Sequence, residues 1–214
     1  MTISWYGHSC FKITNSGGHL TIITDPFDKS VGLNPPRGSA DIITVSHEHY
    51  DHNNIKSFSG APFIVNGPGE YEIKGVSIFG LNSFHDEKQG QERGLNAIYL
   101  IEIDEIRICH LGDFGQEKLT DEQLEEIGEV DILMIPVGGT YTISADEAVE
   151  IVEQIEPRLI VPMHYKIPGL KINIDGVDKF LKEMGLTQKP AVDKITLKKK
   201  DLANKEMEVA VMKP

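Results

Sequence analysis

The sequence predicts one α/β or α+β domain over residues 1–214, with two sheets and outer helices. Three features of the chain predict it. Short apolar runs separated by turn residues fill the first half and read as strands. Apolar runs alternating with amphipathic helical stretches fill the second half. No linker, repeat or low-complexity segment divides the chain, and 214 residues are enough to bury one core well.

Residues 3–6, 10–14 and 20–24 read as short strands, parted by "GHS" and by "NSGG", a strong turn signal. "TDPF" (24–27) and a Pro/Gly-rich loop over 31–39 lead to a strand at 41–45. Residues 53–57 fit one or two helical turns. Strands at 62–65 and 76–79 follow, with "NGPGEY" read as the turn between them. Apolar runs at 97–103 and 106–109 are joined by a tight Asp104-Glu105 turn. A helix over 121–126 is capped by Thr120, and Gln123 three residues on completes a capping box. Residues 131–136 form a buried strand. The clearest helix covers 144–155, where Ala145, Ala148, Val149, Val152 and Ile155 follow i, i+3, i+4 spacing. Ser144 caps it, and Glu147 completes a second box. A strand at 159–161, a helix at 177–184 and a last strand at 207–212 finish the chain.

Composition narrows the class. The chain is 40% hydrophobic and 25% charged, as soluble globular proteins are. No window reaches the ~18–20 apolar residues of a membrane span. Met1-Thr2-Ile3-Ser4-Trp5 lacks the basic and apolar segments of a signal peptide. Two cysteines, Cys10 and Cys109, make no disulfide framework and read as small buried hydrophobes. A reducing cytoplasm is the expected setting. The net charge of −12 argues against a nucleic-acid surface, where phosphates must be neutralised. Lys198-Lys199-Lys200, beside Asp201, reads as a solvated turn.

The chemistry concentrates in "VSHEHYDH", residues 45–52, directly after an apolar strand. Residues i and i+2 of an extended segment point the same way. His47 and His49 can therefore grip one metal ion. Asp51 and His52 arrive where the chain bends and can face a second position. Imidazole nitrogen and carboxylate oxygen are the borderline ligands zinc accepts. More ligands would come from His and Asp just beyond other strands: His85-Asp86, His110 and Asp113 in "CHLGD", and His164 in "PMHY".

The cluster His47-Glu48-His49-Tyr50-Asp51-His52, a later His-Asp, a Gly-Asp after an apolar strand and a final Pro-Met-His together resemble the metallo-β-lactamase superfamily. "WYGHSCFKI" (5–13) and "TDPF" add a likeness to its compact branch, which includes ascorbate-phosphate lactonases and N-acyl-phosphatidylethanolamine phospholipase D. The resemblance covers roughly residues 3–165. It implies an α+β fold, a four-layer αββα sandwich with the metal site at one edge of the two sheets. It also implies His47, His49 and His85 as ligands of a first metal, and Asp51, His52 and His164 as ligands of a second. Asp113 would bridge them. His85 departs from the commoner "PGH" setting.

Several polar residues remain around this set. His8 faces a ligand or the substrate, or serves a structural turn. Asp25 is placed to accept a ligand histidine's other N–H. His110 shares strand parity with Ile106 and Ile108 and points inward, toward the core or the site. Glu70, Tyr71 and Arg93 are loop candidates for substrate contact. His19 reads as a solvated turn residue.

The expected protein is a metal-dependent hydrolase, with two Zn²⁺ and with Mn²⁺ or Fe²⁺ as other ions that fit. A bridging hydroxide would attack a small or medium, anionic ester, lactone or phosphodiester, and Asp51 would orient it or move a proton. No G-x-S-x-G nucleophile motif is present. Other readings are a mononuclear iron redox enzyme on the same fold, a nuclease, and a non-catalytic metal-binding protein. The partner is a small molecule. Substrate and oligomeric state have no readable code.

Overall fold

A computed structural model describes the whole chain, Met1–Pro214. Its strands in chain order are β1 (Thr2–Gly7), β2 (Cys10–Thr14), β3 (Thr21–Thr24), β4 (Gly38–Ser39), β5 (Ile42–Thr44), β6 (Phe58–Ser59), β7 (Phe63–Val65), β8 (Gly69–Ile73), β9 (Val76–Phe84), β10 (Leu95–Ile103), β11 (Ile106–His110), β12 (Ile132–Pro136), β13 (Leu159–Met163), β14 (Ile195–Thr196) and β15 (Glu208–Val209). The helices are α1 (Asp121–Ile127), α2 (Ala145–Ile155) and α3 (Val177–Glu183).

One sheet has the order β14-β1-β2-β3-β5-β7, the other β15-β13-β12-β11-β10-β9-β8. Both are mixed. β1, β2 and β3 are antiparallel, whereas β3, β5 and β7 run parallel. β8 to β11 form an antiparallel meander, and β11, β12 and β13 run parallel. Parallel neighbours need a crossover, and α2 supplies it between β12 and β13. The first sheet's crossover between β5 and β7 has only the single 3-10 turn Ile55–Ser57, where one or two helical turns were expected.

Burial explains the layers. β1 alternates half-buried and buried residues, with Ile3 and Trp5 turned into the core. β12 (ILMIP) and β13 (LIVPM) are buried at every position, as strands covered on both faces must be. α2 covers them with Ala148, Ile151, Val152 and Ile155. One core cluster of 58 buried residues joins both sheets, from Ile13 and Ile42 to Ile98, Leu133 and Ile160. Each fully buried Ile or Leu contributes roughly 1.5–3 kcal/mol, so the fold does not depend on any one polar residue at its edge. Both expected helix starts are capped: Gln123 N–H donates to Thr120 Oγ1 at 3.2 Å, and Glu147 accepts from Ser144 N–H at 2.6 Å.

"NGPGEY" is not a plain turn. Its Gly69-Glu70-Tyr71 begins β8, which pairs with β9. The turn lies at Lys74-Gly75, with φ of 53° and 80°, the left-handed pair that a two-residue hairpin requires. β9 also runs on to Phe84 instead of ending at Phe79, and the last strand shrinks to Glu208–Val209. The longer β9 matters: it carries His85 to the sheet edge.

That edge gathers the polar residues. β1, β3 and β5 run one way in the first sheet, and β9, β11 and β13 run one way in the second. His8, Asp25, the 45–52 loop, His85, Asp113 and His164 follow the C-terminal ends of these six strands in turn. The two edges are tied together, with His164 N–H donating to His8 C=O at 3.1 Å and Tyr99 O–H to Val45 C=O at 2.8 Å.

Candidate metal centre

The floor of the site is organised by Asp25, which is fully buried with a left-handed φ of 38°. Its carboxylate accepts from the Ser46 amide at 2.7 Å, the Ser46 hydroxyl at 2.6 Å and His52 Nδ1 at 3.0 Å. Because the Ser46 hydroxyl gives its proton to Asp25, its oxygen accepts from His47 Nδ1 at 3.0 Å. One carboxylate thus fixes two tautomers. In their neutral forms His47 and His52 both carry their proton on Nδ1 and turn a bare Nε2 into the site. His47 Nε2 is buried there with no hydrogen-bond partner in the protein.

Asp113 is the point of convergence. Its Oδ2 lies 3.2 Å from His52 Nε2, 3.2 Å from His164 Nε2, 3.4 Å from His85 Nε2 and 4.0 Å from His47 Nε2. Its own amide donates to Asn96 Oδ1 at 2.9 Å, and Asn96 is anchored in turn to Leu111 C=O at 2.8 Å. Gly112 makes this approach possible: with φ of 58°, an added Cβ would come within 2.4 Å of Asn96 Oδ1 and 2.5 Å of Ser46 Cβ.

The donors fall into groups whose atoms all lie within 4.8 Å of one another: His47, His49 and His85; His47, His52 and Asp113; His8, His52 and His164. Asp51 Oδ2 stands 3.8 Å from His52 Nε2. All seven residues expected as ligands are therefore brought to one place. His49 is the exposed member, with its ring 4.5 Å from that of His47 and 5.2 Å from that of His85.

The charges suit a cation. Burial pushes the Asp113 carboxyl up, but His164 and His52 outweigh it and hold it well below the usual carboxylate range. Burial would lower His52, yet Asp113 and Asp25 on either side hold its pKa well above that of an ordinary histidine. Burial, with the charge of His52 beside it, drives His47 down to about 2. The centre is thus a buried nest of imidazoles around ionised carboxylates, and His47 turns into it a lone pair that no protein donor meets. That donor chemistry fits a divalent metal.

Comparison with known proteins agrees with this geometry. A model of the beta-lactamase superfamily domain matches residues 2–164. The chain belongs to the metallo-β-lactamase superfamily. A UPF0173 metal-dependent hydrolase of Thermoplasma volcanium is 34% identical over 197 residues, spanning 76% of this chain and 82% of the relative. A UPF0173 protein of Pyrococcus furiosus is 36% identical over 187 residues, 77% of this chain and 83% of the relative. A Thermotoga maritima crystal structure of a metallo-β-lactamase superfamily protein is 39% identical with a TM-score of 0.78, covering 99% of this chain and 97% of its own. The expected α+β sandwich of the metallo-β-lactamase type is thereby shown.

The superfamily's sheet edge here opens into a cleft of about 780 Å³ lined by Tyr50, Asp51, His85, Arg93, Tyr141 and Lys171 among others. Arg93 stacks over Tyr141 at 5.7 Å and donates to Thr140 C=O at 3.3 Å. Its loop is pinned by Asp86, whose carboxylate accepts the amides of Lys88, Gly90, Glu92 and Arg93 at 2.8–3.0 Å. Of the loop candidates, Arg93 reaches the cleft. Glu70 and Tyr71 lie in β8 and line a separate groove with Phe79 and Arg107. His110 stands behind the centre: Nε2–H donates to Ser9 C=O at 3.0 Å, and Nδ1 accepts from the Gly112 amide at 3.2 Å. It holds the backbone that carries Ser9 and Gly112, and both its nitrogens are used. Ser46 and Asn96 were missed in the sequence. Ser46 had a signal, its place immediately before His47, whereas Asn96 had none.

Proposed function

We propose that this chain, a metal-dependent hydrolase of the metallo-β-lactamase superfamily, uses two divalent ions to cleave a small or medium anionic ester, lactone or phosphodiester. The observation that carries the reading is the convergence of four imidazole Nε2 atoms on one Asp113 oxygen, all within 4.0 Å. His47, His49 and His85 would hold the first ion, Asp51, His52 and His164 the second, and Asp113 both. Zinc matches this imidazole-rich set, and Mn²⁺ or Fe²⁺ also fits it. Bound there, such ions lower the pKa of water toward ~7 and polarise the oxygen of the scissile bond.

The chain's own residues supply the rest. Burial raises the Asp51 carboxyl, but the His8 ring nitrogen at 3.3 Å and the charge of His52 hold it ionised, so it can accept and orient a hydrogen bond at the cleft floor. Asp25 and Ser46 keep His47 and His52 in the ligating tautomer. Arg93 and Lys171 line the cleft and have no carboxylate within ion-pair distance, in a chain of net charge −12. Two free cations beside the centre support recognition of an anionic group. The exposed rings of Tyr50 and Tyr141 offer flat apolar walls. Cys10 and Cys109 are buried and unpaired, which removes them as nucleophiles and supports a reducing, cytoplasmic setting. No helix is long and apolar enough to cross a membrane. The shared core supports a single domain over 1–214, and the net negative charge disfavours nucleic acid.

The test is a hydrolase panel of lactones, phosphodiesters, thioesters and β-lactams, run with Zn²⁺- and Mn²⁺-loaded protein. Turnover of an anionic member, abolished by chelation, is expected. Loaded protein that turns over none of them, or only neutral esters, contradicts the reading.

A further inference from the structure

The seven-residue ligand set leaves one buried histidine beside it unexplained. His8 has no solvent exposure and sits in a left-handed conformation, φ 55°, at the end of β1. Such a backbone is strained for a non-glycine residue and persists where its surroundings fix it. Here they do: its carbonyl accepts from Trp5 Nε1 at 3.0 Å and from the His164 amide at 3.1 Å. The ring is clamped between those of His52 and His164, with centroids at 4.7 and 4.4 Å.

The clamp aims one atom. His8 Nε2 lies 3.1 Å from His52 Nε2 and 3.3 Å from Asp51 Oδ2. Two pairs among the donors assigned to the second ion keep the same spacing, 3.2 Å from Asp113 Oδ2 to both His52 and His164, while His52 to Asp51 is longer at 3.8 Å. Donors that share an ion through bonds of about 2.0–2.1 Å stand roughly 3.0–3.4 Å apart. His8 is therefore spaced as a ligand among ligands. The alternative is an Nε2–H donating to Asp51 or His52. Asp25 holds a His52 proton on Nδ1, so once an ion is bound His52 turns a lone pair to the same spot. An ion that engages the lone pairs of His52 and Asp51 would set its charge against a proton on His8. The neutral, lone-pair form of His8 is the one that coexists with it.

We propose that His8 is itself a ligand of the second metal position, a fifth protein donor beside Asp51, His52, His164 and the shared Asp113. This rests on the two-ion reading above. It makes the two positions unequal. The first, with His47, His49, His85 and Asp113, has a tetrahedral set. The second favours an ion that accepts five or six donors, such as Mn²⁺, Fe²⁺ or Co²⁺.

The experiment uses full-length protein saturated with Co²⁺. In a crystal structure with the ions placed by anomalous scattering, His8 Nε2 should lie about 2.0–2.2 Å from the second ion. In solution, His8→Gln and His8→Asn should weaken the second ion by about 10–100-fold and leave the first unchanged. Their visible Co²⁺ absorption should change as the coordination number falls, and added imidazole should restore it toward wild type. A His8 Nε2 more than about 3 Å from both ions overturns the proposal, as do folded variants with wild-type affinity and spectrum. If wild-type protein takes up fewer than two ions, the two-ion reading itself has failed. If it takes up two with His8 off both, only this inference has.

Discussion

The floor of the cleft and its mouth are built by opposite means. On the floor, His8, Asp25, His52 and His110 have no exposure, and hydrogen bonds from Asp25, one directly and one through Ser46, set which nitrogen of His52 and His47 faces inward. At the mouth, Tyr50 is 60% and Tyr141 42% exposed, and Arg93 is steadied by one aromatic ring and one carbonyl. The floor is preorganised by buried contacts that leave no room for alternatives. The mouth is carried by loops that a few substitutions could refit. Chemistry and specificity therefore reside in separable parts of the same cleft, and substitutions should sort by which part they touch.

The largest effect belongs to the floor's centre. Asp113→Ala should release both ions and reduce hydrolysis by roughly 10³-fold, with the far-ultraviolet spectrum unchanged because the apolar core is intact. His47→Ala should chiefly weaken the first ion and His52→Ala the second. Loss of only one ion from Asp113→Ala would break the shared-ligand assignment. Asp25→Asn ranks next. It touches no proposed ion position directly, yet it unsettles the tautomers of His47 and His52, so metal affinity should fall about 10–100-fold in competition titrations.

A pH dependence follows from the same floor. Asp113 and Asp25 raise His52 well above the ordinary histidine range, and an ion binds only the neutral ring. Below that raised pKa the second ion must expel a proton, so its affinity should fall about tenfold per unit as pH is lowered. Titrations from about pH 8 to pH 6 in metal buffers, with proton release followed in parallel, check this. A pH-independent second ion would contradict the His52 assignment.

The mouth gives smaller and more selective effects. Arg93→Gln should raise KM for an anionic substrate about tenfold and leave a neutral analogue and the metal content unaltered. An equal loss on both substrates would move Arg93 from the mouth to the floor. Tyr50→Ala should change stability by less than about 0.5 kcal/mol in urea unfolding, as an exposed substitution does.

The two regions also differed in how well the sequence revealed them. The floor was legible where ligands are contiguous, as in His47 to His52, or follow an apolar strand, as His164 does. His85 was harder to read because β9 runs five residues past its expected end at Phe79, to Phe84. Asn96 could not be seen, since its contact with Asp113 spans 17 residues and depends on β10 and β11 pairing. β8 was hidden for a local reason: "NGPG" is a louder turn signal than Lys74-Gly75, where the hairpin turns. At the mouth, Arg93, Glu70 and Tyr71 looked alike as loop residues. Only the pairing of β8 with β9 separates Arg93 at the cleft from Glu70 and Tyr71 in another groove.

The central claim is that this floor holds two ions. Elemental analysis of metal-reconstituted wild-type protein, after removal of loosely held metal on a desalting column, tests it most directly. The account predicts two ions per chain, with Asp113→Ala retaining neither. One ion or fewer in the reconstituted wild type would contradict it.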